Sequence, residues 1–108
     1  MMKDPLSDPV ILSYKAALEH SLGSRLKELW LFGSRARGDF HDDSDYDILV
    51  VAEGSLKELR ATVSGLGYGI LDEYSELIGN VVYTPELWKK SRRGPLGMNV
   101  LAHGVRIA

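Results

Sequence analysis

The chain has 108 residues, the usual size of one domain, and 44% of them are hydrophobic. We therefore expect a single domain over residues 1–108 with one modest core. The formal net charge of −2 offers no basic surface for strong nucleic-acid binding, and the lack of cysteine excludes disulfides and thiolate metal sites.

The apolar segments are too short to act as membrane anchors. No apolar run approaches the roughly 20 residues that a membrane-spanning helix needs. The first residues, "MMKDPLSDPV", lack the apolar core of a secretory signal. These features predict a cytoplasmic protein that has no membrane partner.

The first half of the chain predicts one helix and two strands. The helix is expected in "LSDPVILSYKAALEHSLG", with Ser7 or Asp8 as its cap, Pro9 in its first turn and Gly23 at its end. The strands are expected in "LKELWLFG" and "DYDILVVA". Their unbroken apolar centres indicate a sheet that is covered on both faces.

The second half predicts a long helix in residues 55–77, although Gly65, Gly67 and Gly69 leave its continuity open. A third strand in "LIGNVVYT" and a short helix that opens at Thr84 and Pro85 follow. One or two helical turns in "GPLGMNVLAHG" and an edge strand in "VRIA" complete the chain. This order predicts an α/β (α+β) fold, a small mixed β-sheet with helices packed on it.

A glycine turn ends the first predicted strand. Gly33 and Ser34 precede "RARG", and a helical turn over residues 34–37 would leave free backbone N–H groups at its start. Such groups bind anions, and a glycine lets a phosphate approach the backbone closely. Ser34 adds a hydroxyl donor, and Arg35 or Arg37 adds a forked cation that suits phosphate oxygens. A plain strand-to-helix turn with a solvated arginine is the alternative interpretation.

Two carboxylates open the second predicted strand. Asp45 and Asp47 are two positions apart, so both side chains project from the same face of a strand, about 6–7 Å apart at the backbone. Two such carboxylates repel one another unless a cation lies between them, and hard oxygen ligands suit Mg²⁺ with substrate phosphates. If the two strands are neighbours, both features reach one end of the sheet. The alternative interpretation is a solvated turn.

"GSRARG" followed by "SDYD" resembles the GS…RG…SDxD motif of the DNA polymerase β-like nucleotidyltransferases, and the chain is similar in length to their minimal prokaryotic members. The resemblance implies the polymerase β-like nucleotidyltransferase fold. It implies that Gly33 and Ser34 hold the phosphates of a nucleoside triphosphate and that Asp45 and Asp47 bind two Mg²⁺ ions. The implied reaction transfers a nucleoside monophosphate, with ATP as the expected donor, to an acceptor hydroxyl and releases pyrophosphate.

Active members of this family usually supply a third acid from the next strand, but "LIGNVVYT" contains no Asp or Glu. Glu76, just before that strand, is the candidate for this catalytic acid. A solvated position for Glu76 at the end of the helix is the alternative. Without a third ligand the metal would be held loosely, which predicts slow catalysis or nucleotide binding without catalysis.

The resemblance also implies a partner. Small members of the family often pair with a helical HEPN-type protein as the antitoxin of a toxin–antitoxin pair, and can adenylylate that partner. Two alternatives stay open. One is a weak or inactive nucleotide-binding module that acts by forming a complex with a helical partner, and the other is a generic phosphate-binding domain. The base of the nucleotide and the oligomeric state, a homo-oligomer included, also stay open.

Overall fold

A computed structural model describes residues 4–108. Four strands form one sheet in the order β3–β2–β1–β4: β1 is Leu26–Phe32, β2 is Tyr46–Ala52, β3 is Ile78–Tyr83 and β4 is Val105–Arg106. β1 is antiparallel to β2 and β4, whereas β3 is parallel to β2. The predicted mixed sheet and its terminal edge strand are confirmed.

The first helix, α1 (Pro9–Leu22), begins where the sequence predicts. Of the two candidate caps, Asp8 closes the helix, because its carboxylate accepts the Val10 N–H at 2.9 Å. Gly23 ends the helix with a φ of 55°. Residues 5–7 form a separate 3-10 turn before α1.

The remaining helices are α2 (Ser34–Arg37), α3 (Leu56–Tyr74), α4 (Pro85–Ser91) and α5 (Pro95–His103). α3 is continuous through its glycines, because its buried face packs on the sheet, and α5 extends over nine residues. Ser55 caps α3, and Thr84 opens α4 as its cap, as predicted for that helix. Within residues 4–108, no helix combines the length and the apolar composition that crossing a membrane requires.

Both faces of the sheet are covered. α1 and α3 pack on one face, against Tyr46, Ile48 and Val50 of β2. α4 and α5 supply Trp88 and Val100 to a second cluster with Leu49 and Val51 on the other face. Because side chains alternate along a strand, Asp47 belongs to the α4–α5 face. Asp47 therefore lies near one end of the sheet, on the side opposite α1.

Candidate functional site

The turn between β1 and α2 is built on Gly33. Gly33 has a φ of 73°, and its carbonyl oxygen accepts the N–H groups of Ala36 and Arg37, each at 3.1 Å. The predicted helical turn therefore forms directly after β1. The N–H groups of its first residues have no acceptor within the turn, as at the start of any helix.

The glycine turn and the acidic strand meet. Phe32 of β1 is the register partner of Asp47 in β2, so Gly33 lies beside Asp47. A Cβ atom built on Gly33 would overlap the Asp47 carboxylate. Only a glycine allows this close approach together with a positive φ. The structure thus brings Gly33, Ser34 and Asp47 to one place, with Asp45 two residues away.

The carboxylate of Asp47 is destabilised in its charged form. Burial raises its pKa most, and the charge of Asp45 raises the pKa further, while Arg37 lowers it. Asp45 itself is exposed. Two acids in this relation favour a cation between them, because the cation would relieve both the repulsion and the cost of burial. This donor set, together with the space left by Gly33, fits a hard divalent ion such as Mg²⁺ with phosphate oxygens.

The β3 position beside Asp47 is a glycine. Gly79 is the register partner of Asp47 in the parallel ladder, and a Cβ atom on Gly79 would lie 3.3 Å from Asp47 Oδ1. The next residue, Asn80, projects to the opposite face, where its side chain accepts the Tyr14 hydroxyl at 2.5 Å. Within residues 4–108, no group of three or more His, Asp or Glu side chains is arranged to hold a metal.

Glu76 lies elsewhere. Its carboxylate forms an ion pair with Arg35, with Oε2 3.6 Å from the guanidinium Nη2. Arg35 lies against the ring of Tyr46, which is buried on the α1–α3 face. Glu76 is therefore held on the Tyr46 side of β2, and its role as third acid stays a prediction. Gly79 carries no signal in the sequence, since only the β2–β3 register identifies it as the residue beside Asp47.

The two candidate arginines have different surroundings. The Arg35 side chain is 9% exposed, and it donates to the carbonyl oxygens of Ser44 at 2.9 Å and Asp42 at 3.3 Å. The Arg37 side chain is 41% exposed and forms an ion pair of 3.4 Å with Asp39. The charge of Arg37 lowers the pKa of Asp47, against the larger effects of burial and of Asp45.

The sequence is similar to known nucleotidyltransferases. The sequence model of the nucleotidyltransferase domain family matches residues 14–92. "Putative protein adenylyltransferase MJ0604" of Methanocaldococcus jannaschii is 33% identical over 97 residues, which cover 90% of this chain and 93% of that protein. A second protein of that organism, of the same designation but numbered MJ0141, is 29% identical over 100 residues, which cover 91% and 95% of the two chains.

Solved structures share the fold. A toxin–antitoxin with AMP-PNP has a TM-score of 0.64 at 22% identity, over 88% of this chain and 70% of that one. A "putative nucleotidyltransferase from Sulfolobus solfataricus" has a TM-score of 0.55 at 25% identity, over 96% and 86%. Tri-AMPylated Shewanella oneidensis HEPN toxin in complex with MNT antitoxin gives 0.53 at 17% identity, over 92% and 71%.

The predicted fold and the predicted enzyme class are both confirmed by these comparisons. The family match covers 79 residues, from 14 to 92, and includes both the glycine turn and the acidic pair. The two relatives align along nearly the whole of their own length and of this chain. This chain therefore belongs to the nucleotidyltransferase domain family.

Proposed function

We propose that the chain is a Mg²⁺-dependent nucleotidyltransferase that transfers the nucleoside monophosphate of ATP to a hydroxyl group of a partner protein. The observation that carries this proposal is the contact between the Gly33 turn and the Asp47 carboxylate, with Asp45 two residues before Asp47 in the chain. The designation of the two relatives as protein adenylyltransferases supports both ATP and a protein acceptor.

Each residue of the site has a distinct task in this reaction. The turn at Gly33 and Ser34 binds the triphosphate through backbone N–H groups and the serine hydroxyl, and Arg37 adds positive charge beside it. Asp45 and Asp47 would hold Mg²⁺, which when bound neutralises phosphate charge and favours ionisation of the acceptor hydroxyl. The acceptor oxygen bonds to the α-phosphorus and loses its proton to solvent, while the bond between the α-phosphorus and the oxygen that bridges to the β-phosphate breaks and releases pyrophosphate.

We propose a helical HEPN-type protein as the partner, with this chain as the cytoplasmic antitoxin of the pair. Two of the structural neighbours support this choice, because one is a toxin–antitoxin with AMP-PNP and another contains an AMPylated HEPN toxin.

One observation favours a second function. Gly79 presents no carboxylate at the β3 position beside Asp47, so the metal would have only two acids of this chain as ligands. A nucleotide-binding module that neutralises its partner by complex formation needs nucleotide affinity but no chemical step.

Transfer of label from α-labelled ATP to a purified HEPN-type candidate separates the two functions. We expect labelled partner with the wild type and none with Asp45→Asn plus Asp47→Asn. A matched control, Asp42→Asn plus Asp43→Asn, removes the same charge from exposed positions of the same loop and should retain transfer. Unlabelled partner that every variant neutralises equally would overturn the enzymatic proposal in favour of the binding module.

A further inference from the structure

Arg35 is enclosed by the loop that leads to the acidic pair. This loop, residues 38–45, connects α2 to β2 and ends at Asp45. The Arg35 guanidinium donates from Nε to the Ser44 carbonyl at 2.9 Å and from Nη2 to the Asp42 carbonyl at 3.3 Å. It therefore binds the backbone on the N-terminal side of Asp45 at two points, one of them on the adjacent residue.

Two aromatic rings also lie against the same guanidinium. Its central carbon lies 3.9 Å from the ring centroid of Tyr46 and 4.8 Å from that of Phe40. The Tyr46 hydroxyl donates to the buried carboxylate of Asp8 at 2.8 Å, which fixes the ring on the end of α1. Glu76 balances the charge of Arg35 from the end of α3.

These contacts leave Arg35 poorly placed to bind phosphate. Two of its donor groups point at loop carbonyls, two aromatic rings lie against it, and its side chain is 9% exposed. A phosphate contact would have to break bonds that hold the loop. Arg37 is held less tightly, because its side chain is 41% exposed and its ion-pair partner, Asp39, is exposed as well.

We propose that Arg35 is a positioning residue that holds the loop of residues 38–45, and so the carboxylate of Asp45, in the geometry that binds metal. This inference rests on the proposed function, from which it takes the metal. The role of Glu76 is then to hold Arg35 in place through their ion pair. A planar guanidinium can donate to two carbonyls while it lies against two aromatic rings, but a lysine ammonium cannot, so Lys should not replace Arg here.

Kinetics distinguish positioning from phosphate binding. We expect Arg35→Gln and Arg35→Lys to raise the Mg²⁺ concentration for half-maximal transfer about 10- to 100-fold, as loss of a residue that orients a metal ligand does. The KM for ATP at saturating Mg²⁺ should stay within about twofold of the wild type. Arg37→Gln, the matched control, should instead raise that KM. Rescue by Arg35→Lys, or a rise in the ATP KM alone, would overturn the proposal.

Hydrogen exchange tests the same proposal without activity. The His41 N–H donates to Ser44 Oγ at 2.8 Å and the Ser44 N–H to the His41 carbonyl at 3.0 Å, so both amides report on the loop. Arg35→Gln should reduce their protection about tenfold and leave the Leu49 amide of β2 unchanged. Unchanged loop protection would overturn the positioning role.

If Arg35→Gln fails to fold, Phe40→Leu is the second variant, because it removes only the contact between the Phe40 ring and the Arg35 guanidinium. The same selective loss of loop protection is expected. An inactive wild type that shows this selective loss would refute the proposed function and leave the positioning role of Arg35 intact. An active wild type whose loop protection is unchanged in both variants would refute the positioning role of Arg35 and leave the proposed function intact.

Discussion

Gly33 allows the glycine turn and the Asp47 carboxylate to come into contact. Its backbone has a φ of 73° and a ψ of −159°, a region that is almost exclusive to glycine, and the Asp47 carboxylate occupies the place of its missing side chain. In the proposed site, Ser34 and Asp45 share one ligand. This requires that position 33 has no Cβ atom.

The first prediction separates these two effects. Gly33→Ala should lower the free energy of unfolding by about 1–3 kcal/mol for the backbone and by more for the overlap with Asp47. Gly23→Ala is the control, because Gly23 also has a positive φ of 55° but no atom within 4 Å of the added Cβ. Urea unfolding should show a larger loss for Gly33→Ala. Equal losses would mean that the overlap with Asp47 is relieved at no cost.

The second prediction concerns Asp47 in the absence of metal. Folding raises its pKa above the ordinary value of 3.8, chiefly by burial and then by the charge of Asp45. The folded state thus binds the proton more tightly than the unfolded state. The destabilisation is absent below the ordinary pKa and grows as the pH rises through the raised pKa.

Asp47→Asn should therefore increase the free energy of unfolding at about pH 7 in EDTA and change it little at about pH 3. Saturating Mg²⁺ should reverse the order at neutral pH, since the variant lacks one of the two carboxylates proposed to hold the ion. Urea unfolding at the two pH values measures this. A stability difference that does not change with pH would show that the pKa of Asp47 is not raised by folding.

Among the elements, the parallel pair of β2 and β3 determines what can join the acidic pair. Its register sets Gly79 opposite Asp47 on one face and turns Asn80 to the other face, where it binds Tyr14. A carboxylate offered by β3 to this site would have to stand at position 79.

The third prediction follows from that register. Gly79→Asp should lower the melting temperature without metal, because it adds a third negative charge beside Asp47, and should tighten Mg²⁺ binding by about tenfold. Gly79→Asn has nearly the same shape without the charge and serves as the control. Thermal unfolding and Mg²⁺ titration measure both effects. Identical behaviour of the two variants would place the metal away from β3.

The fourth prediction concerns the glycines of α3. A Cβ atom on Gly65 or Gly69 would meet no atom within 4 Å, whereas one on Gly67 would lie 3.2 Å from Asn80 Nδ2. Gly65→Ala and Gly69→Ala should each raise the free energy of unfolding by about 0.5–1 kcal/mol. Gly67→Ala should gain less or lose stability. Three equal gains in urea unfolding would contradict the close packing at Gly67.

The helices and strands differ in how well the sequence alone predicts them. Local signals, such as apolar runs, Pro at helix starts and capping side chains, predict the helices and strands of the sheet, because these signals act within a few residues. The continuity of α3 through Gly65 and Gly69 depends instead on tertiary burial of its other face. Local propensity alone could not decide it.

Within the site, the sequence predicts residue types better than their partners. The Gly33 turn and the Asp47 strand are adjacent along the chain, so their meeting follows from a single antiparallel pairing. The difference between Arg35 and Arg37 depends on the path of the loop, and the position of Gly79 depends on the register of β3. Neither is encoded in the spacing of the motif.

At the scale of the whole molecule, the sheet supports the site by being covered on both faces. Helices α1 and α3 bury one face, and α4 and α5 bury the other around Trp88 and Val100. The exposed Asp45 and the half-exposed Arg37 lie at the end of the sheet where β1 finishes and β2 begins. A rigid core thus presents the glycine turn and the acids at a boundary open to solvent.

Calorimetric titration with Mg²⁺ and a non-hydrolysable ATP analogue tests the central claim most directly, since it asks whether the Gly33 turn and the acidic pair bind one ligand. We expect binding by the wild type that EDTA abolishes, that Asp45→Asn plus Asp47→Asn abolishes, and that Asp42→Asn plus Asp43→Asn leaves intact. Equal affinity in the wild type and the Asp45/Asp47 double variant, or affinity unchanged by removal of Mg²⁺, would contradict the account.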